Sequence, residues 1–175
     1  MLSLSCGKAD GENTENTNVS VSPSPQKEVS AEKVERRETP KFVDVPNLAN
    51  KSPAEFDKIF GKPVQITEIK DNPALMPGEF RLYNVSGHQK GLSVRFFKGQ
   101  AKRFNLLLGE PLKSSRNALS GVFKINVGEI SPDKTSEPLS EKWKGKFNGI
   151  NFVTVYAKRE KVTGDFTMVH AEVGK

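Results

Sequence analysis

The chain is predicted to adopt an α+β fold of two tandem modules. Each is a short helix followed by an antiparallel sheet of three to four strands, with the helices packed on one sheet face. Three observations predict this. Of the 14 Phe, Trp and Tyr in the 175 residues, Phe42 alone precedes residue 53, so the large core-forming side chains belong to the later part. A capped-helix signal followed by strand signals runs through residues 52–108. The same order returns at residues 115–173. A single cysteine, Cys6, excludes an intramolecular disulfide framework and any Cys-based zinc cluster. No apolar run approaches the roughly 18 residues of a membrane-spanning helix.

Residues 1–52 carry 7 Lys/Arg and 8 Asp/Glu, a net charge of −1. The whole chain has 27 and 21, which leaves 20 and 13, or +7, for residues 53–175. The first 52 residues lack the apolar bulk that offsets ordering entropy and read as a polar, disordered tail. Residues 53–175 form the expected globular unit, divided into repeats at about 53–110 and 111–175.

The elements follow in order. Ser52 is an N-cap, Pro53 suits the first helical position, and Glu55 completes a capping box. Phe56, Ile59 and Phe60 line one helical face, and Gly61 with Pro63 ends the helix. Strands are expected at residues 64–69, 80–85, 92–97 and 104–108, with a loop bearing Pro73 and Pro77 and a turn at Lys98-Gly99-Gln100. In the second half Ser115 is the expected cap, 63 positions after Ser52, with Leu119, Val122 and Phe123 on one face. An apolar stretch at 125–130 and a polar insertion with Pro132 and Pro138 come next. Trp143–Phe147 then meets residues 150–158 across Asn148-Gly149, a strong hairpin turn because both positions need positive φ. Residues 166–173 close the set.

Two resemblances carry functional expectations. Ser5-Cys6-Gly7 followed by a polar tract resembles the end of a bacterial lipoprotein signal, although Ser3 stands where such signals usually carry an aliphatic residue. That likeness implies a lipidated Cys6, membrane attachment and a bacterial envelope location. Residues 7–52 would then be a tether spanning about 35–40 Å. The alternative is an unmodified cysteine in the polar tail of a cytoplasmic protein. Ser52-Pro-Ala-Glu-Phe-Asp-Lys-Ile-Phe-Gly-Lys-Pro63, with Tyr83 and Phe96-Phe97-Lys98-Gly99-Gln100, resembles the SmpA/BamE-like outer-membrane assembly lipoproteins and β-lactamase-inhibitory-protein-like modules. It implies a non-enzymatic envelope protein. Phe60 departs from the usual Leu, and the second helix lacks the Gly-x-Pro ending.

Chemistry is sparse. His88 reads as a solvated hairpin-loop residue and His170 as a partly exposed strand residue. No nucleophile motif, phosphate loop or metal-ligand spacing accompanies them, so no catalytic residue, cofactor, metal or small-molecule substrate is assigned. Strand parity is more informative. Leu92, Val94 and Phe96 share one face, and Ser93, Arg95 and Phe97 the other. Thr167, Val169, Ala171 and Val173 share a face, leaving Phe166, Met168, His170 and Glu172 opposite. Arg95, Phe97, Arg103, Phe166, Met168 and His170 are therefore the candidate protein-binding face, because Arg, aromatic and Met side chains are enriched at interface cores. Lys98, Lys102, Lys158, Arg159 and Lys161, near the turns, are candidates for an anionic ligand. The leading expectation is a tethered protein-interaction module with an inhibitory, assembly or accessory role. The alternative is a soluble basic protein that binds anionic polymers, with nucleic acid the weaker form because no nucleic-acid motif is present.

Overall fold

A computed structural model of the chain describes residues 40–70, 77–88, 90–133 and 138–174. Cys6, the expected tether up to residue 39 and Pro73 lie outside the described residues.

The elements are α1 (Val45–Leu48), α2 (Pro53–Phe60), β1 (Gln65–Ile69), β2 (Gly78–Tyr83), β3 (Leu92–Phe97), β4 (Gln100–Leu112), α3 (Ser115–Val122), β5 (Ser140–Phe147), β6 (Ile150–Arg159) and β7 (Phe166–Val173). The capping box forms as the sequence requires. Ser52 Oγ accepts the Glu55 N–H, and Glu55 Oε2 accepts the Ser52 N–H at 2.8 Å. That backbone hydrogen bond, with the Ser52 hydroxyl and Lys51 adding to it, holds the Glu55 carboxyl down to about 2. Gly61 ends α2 at a φ of 79°. At α3 the cap is Ser114, not Ser115; its Oγ accepts the Asn117 N–H at 3.3 Å. Ser115 is the first helical residue and bonds instead to Glu141.

The expected pair of tandem modules is not what the chain forms. All the strands make one seven-stranded antiparallel sheet, in the order β1-β2-β3-β4-β7-β6-β5. The two halves are joined in register through Arg103↔Glu172, Asn105↔His170 and Leu107↔Met168. The reason lies in β4. It runs 13 residues, where a strand of residues 104–108 was expected, and pairs with β3 on one side and β7 on the other. Caps and turns are local signals; this pairing across more than 60 residues of chain is not local. Residues 125–130 form no strand, although Ile125 and Val127 are buried in the core.

The helices lie on one side of this sheet. Phe56 is fully buried and meets Phe96 edge-to-face at 5.1 Å, with Tyr83 and Phe104 within 6.2 Å. Asp57 fastens α2 further, accepting from the Tyr83 hydroxyl at 2.9 Å and from Arg81 at 2.8 Å. Burial, reinforced by that carboxylate, raises the Tyr83 phenol well above its ordinary range.

The folded unit also begins before the expected boundary at residue 53. Val43, Val45 and Leu48 are core residues. The Val43 and Val45 N–H groups donate to the Val122 and Phe123 carbonyls, and Asn50 and Lys51 exchange hydrogen bonds with Ala101. This segment carries no buried aromatic, which is why a tally of aromatics assigned it to the tail. Among the described residues, no helix is long and apolar enough to cross a membrane.

Candidate functional site

The sheet face away from the helices is built from cross-strand rows. One row runs Thr67, Phe80, Arg95, Arg103, Glu172 and Thr154. Its neighbour runs Gln65, Leu82, Ser93, Asn105, His170, Tyr156 and Lys142. A third places Leu107 beside Met168 and Lys158. Directly opposed residues in an antiparallel pair lie about 5 Å apart, so each row is a line of touching side chains.

The contacts are specific. His170 Nδ1 lies 2.6 Å from Asn105 Oδ1. The ring stacks on Tyr156 at 4.4 Å with a 14° interplanar angle, and Lys142 Nζ sits 5.9 Å from the Tyr156 centroid. Arg103 bridges Glu172 at 2.9 Å. The Arg95 guanidinium lies 5.7 Å from the Phe80 ring. Arg95 is 6% exposed and His170 5%, although this is the face opposite α1, α2 and α3. Asn105 and Tyr156 lie against His170, and Phe80 lies beside Arg95. Burial, then the Arg103 charge, pushes the His170 imidazole down to about 4, so it is neutral at pH 7. Between β3, β4 and β7 lies a shallow depression of about 250 Å³, lined by Gly91, Ser93, Asn105, Leu107 and Met168, with Lys90 at its rim.

Five of the six expected face residues lie on this side of the sheet: Arg95, Phe97, Arg103, Met168 and His170. His170 is more buried than sequence parity suggested. Phe97 stands at the end of β3, half-buried, with Lys98 Nζ 5.5 Å from its ring. Phe166 is elsewhere. The β6–β7 register shifts between Lys158 and Arg159, so Phe166 pairs with Arg159 rather than continuing the Met168 row. It is a core residue, 3% exposed, with Arg159 4.2 Å from its ring on the side of α3. The extra residue is Thr167 in β7 itself, and strict parity over residues 166–170 assumes that no such bulge occurs. Phe80, Asn105, Leu107 and Tyr156 also belong to this face and were not singled out, because cross-strand partners are invisible until register is known; Glu172 was placed on it by parity but not chosen as a site residue.

The anionic-ligand candidates do not converge. Lys98 belongs to the β3–β4 turn, and Lys102 bonds to Asn50 on the helix side. Arg159 bridges Glu141 at 2.7 Å, and Lys161 lies in the β6–β7 connection. These groups occupy opposite ends of β4, which at roughly 3.3 Å per residue puts them about 30–40 Å apart. Of the five, only Lys158 stands at a paired position of the open face. His88 is not a free loop histidine either: its Nδ1 accepts the Gly109 N–H at 3.2 Å. Among the described residues, no three His, Cys, Asp or Glu side chains gather as a metal site requires. The chain matches no family model, no curated protein and no solved structure.

Proposed function

We propose that this chain is a non-enzymatic protein-binding module whose working surface is the sheet face opposite α1, α2 and α3. The observation that carries the reading is the burial of Arg95 and His170 on the sheet face opposite α1, α2 and α3. A solvated face of this kind ordinarily carries free polar side chains. Here the side chains are locked against one another in stacks and ion pairs, so the surface is ordered before any partner arrives. Binding to such a surface costs less side-chain entropy than binding to one that must first be ordered. Both imidazoles are engaged in structural contacts, His88 with a backbone amide and His170 with Asn105 and Tyr156, which favours recognition over catalysis.

The envelope location and lipid anchor rest on the residues around Cys6 and belong to the same proposal. Intact mass of the native protein is their measurement. Acylation on a chain beginning at Cys6 supports the anchor, and an unmodified Cys6 removes it. The binding face is tested by site-specific photo-crosslinking in cells that make the protein. A benzophenone side chain at Leu82, Leu107 or Met168 is expected to give discrete protein adducts, and one at Ile59 is not. Equal labelling from both sets, or none from the face, refutes the reading.

A further inference from the structure

An open sheet ends in two edge strands, and each presents a row of N–H and C=O groups to which a further strand can pair. Among the described residues those edges are β1 and β5. The two are guarded differently. β5 carries Glu141, Lys142, Lys144 and Lys146, and its register shifts between Trp143 and Gly145. Charges and bulges of this kind blunt an edge. Its outer side is also partly occupied, since the Asp133 N–H donates to the Lys142 carbonyl at 2.7 Å. β1 has none of these devices. Gln65-Ile66-Thr67-Glu68-Ile69 pairs with β2 without a shift, from Gln65↔Leu82 to Ile69↔Gly78, and contains no Pro, Gly or Lys. Its one ionisable side chain, Glu68, bridges Lys70 at 2.6 Å.

Apolar surface lies along the same edge. Seven large apolar side chains are exposed among the described residues, and Ile59, Val64 and Ile66 fall together at the end of α2 and the start of β1. Ile66 pairs with Arg81, which pairs with the fully buried Val94 and bonds to Asp57 of α2. Ile66 therefore stands on the α2 side of the sheet, where it is 52% exposed.

We infer that β1 is the seam of a two-fold dimer, in which it pairs antiparallel with β1 of a second copy and the sheet runs on through both. The inference uses the edge of the sheet and stands apart from the binding-face reading above. A strand paired with itself about a two-fold axis keeps the same side of both sheets together, so the exposed apolar side chains of the two copies share one seam. With Thr67 opposite Thr67 of the copy, Gln65 opposes Ile69 and Ile66 opposes Glu68, so no like charges face one another. Ile66 then reaches Ile66 of the copy on the diagonal. The five residues of β1, with Ile59 and Val64, are few against the roughly 20–30 a side of a standard interface. The dimer is therefore weak, with a Kd in the micromolar range or above.

Sedimentation equilibrium of the full chain from about 1 to about 500 μM is the test. The mass is expected to rise from 19.3 kDa towards twice that value. Amide hydrogen exchange of β1 in the unaltered chain is expected to slow as the dimer fills, with β5 unchanged. Ile66→Lys places a lysine on each side of the two-fold axis and is expected to weaken association about tenfold or more. Val153→Lys, which replaces a comparably exposed side chain on β6, is expected to leave it unchanged. Urea unfolding of both variants shows whether the fold is kept. A chain that stays monomeric over the whole range overturns the inference. Slow β1 amides in that monomer would assign the edge to another segment of the same chain, and slowing only in extract of the producing cells would assign it to another protein. A dimer whose β1 amides still exchange fast, or one that folded Ile66→Lys leaves intact, places the interface elsewhere and overturns the seam. None of these outcomes bears on the binding face, which is read from its own crosslinks.

Discussion

Lowering the pH probes the centre of the open face most directly, because a neutral imidazole is buried there. His170 titrates at about 4 in the folded chain against an ordinary value of 6.5. Between those values the unfolded chain binds the proton and the folded chain does not, so acid favours unfolding. The associated stability is fully present above about pH 6.5 and is lost as pH falls towards 4. The difference of about two and a half pH units corresponds to about 3 kcal/mol. Most of it, about 2–3 kcal/mol, disappears between pH 7 and about pH 4.5. Against a domain stability of about 5–15 kcal/mol that is a large fraction. The groups facing the ring are Asn105, Tyr156 and, through its charge, Arg103, and none of these takes up a proton in the window. Urea unfolding at a series of pH values measures the loss. His170→Phe keeps an aromatic ring against Tyr156 and removes the titration, while every carboxylate stays common to both proteins. The variant is expected to show a flatter stability profile across the window by about 2–3 kcal/mol. Parallel profiles for the two proteins would refute the placement of a buried, neutral imidazole on this face.

Other consequences follow from the packing. Phe166→Ala is expected to cost about 3–5 kcal/mol in urea unfolding, and Phe97→Ala under about 1 kcal/mol; similar losses would mean that both lie on one face. Gly109→Ala should destabilise by more than about 2 kcal/mol, because its Cβ would fall 1.7 Å from the Gly87 carbonyl oxygen and force the β2–β3 connection off β4. A melting temperature equal to that of the parent protein would refute that close approach. A chain beginning at Ser52 loses the burial of Val43, Val45 and Leu48, about 5–9 kcal/mol in total, and is expected not to unfold cooperatively. A chain beginning at Pro40 should keep its transition, and equal melting of the two would return residues 40–51 to the tail.

What could be read from residue order was what each element decides locally. The capping box at Ser52 and Glu55, the stop at Gly61, and the Asn148-Gly149 hairpin depend on neighbours within a few positions, and all form. The two-faced character of β3 and β7 was legible through period-two patterning, and it located five of the six face residues. Three features escaped for physical reasons. The single sheet depends on β4 pairing with β7 across a long loop, which no cap or turn reports. Phe166 crossed to the helix side because a register shift in β6–β7 changes which face a residue joins, and the shift depends on both strands. The segment around Val45 lies in a stretch whose composition resembles the tail, and its burial depends on hydrogen bonds to Val122 and Phe123 that local sequence does not encode.

Under the proposed binding role, the charges on the open face would divide between two jobs that one cationic patch often combines. Lys142 and Lys158 lie towards the β5 side of the sheet and are half-exposed, where a charge acts over a Debye length of about 8–10 Å and chiefly raises association rate. Arg95 is buried, and the Arg103–Glu172 pair is about one-third exposed, so these guanidiniums are fixed in direction before contact. Fixed, partly desolvated donors govern orientation and dissociation more than encounter. The neutral imidazole between the two groups keeps the centre of the face free of a further positive charge beside Arg103. Without that, burying the centre under a partner would require stripping water from another cation, a cost of several kcal/mol. A dry, uncharged centre suits the proposed covering by another protein better than the holding of small mobile anions.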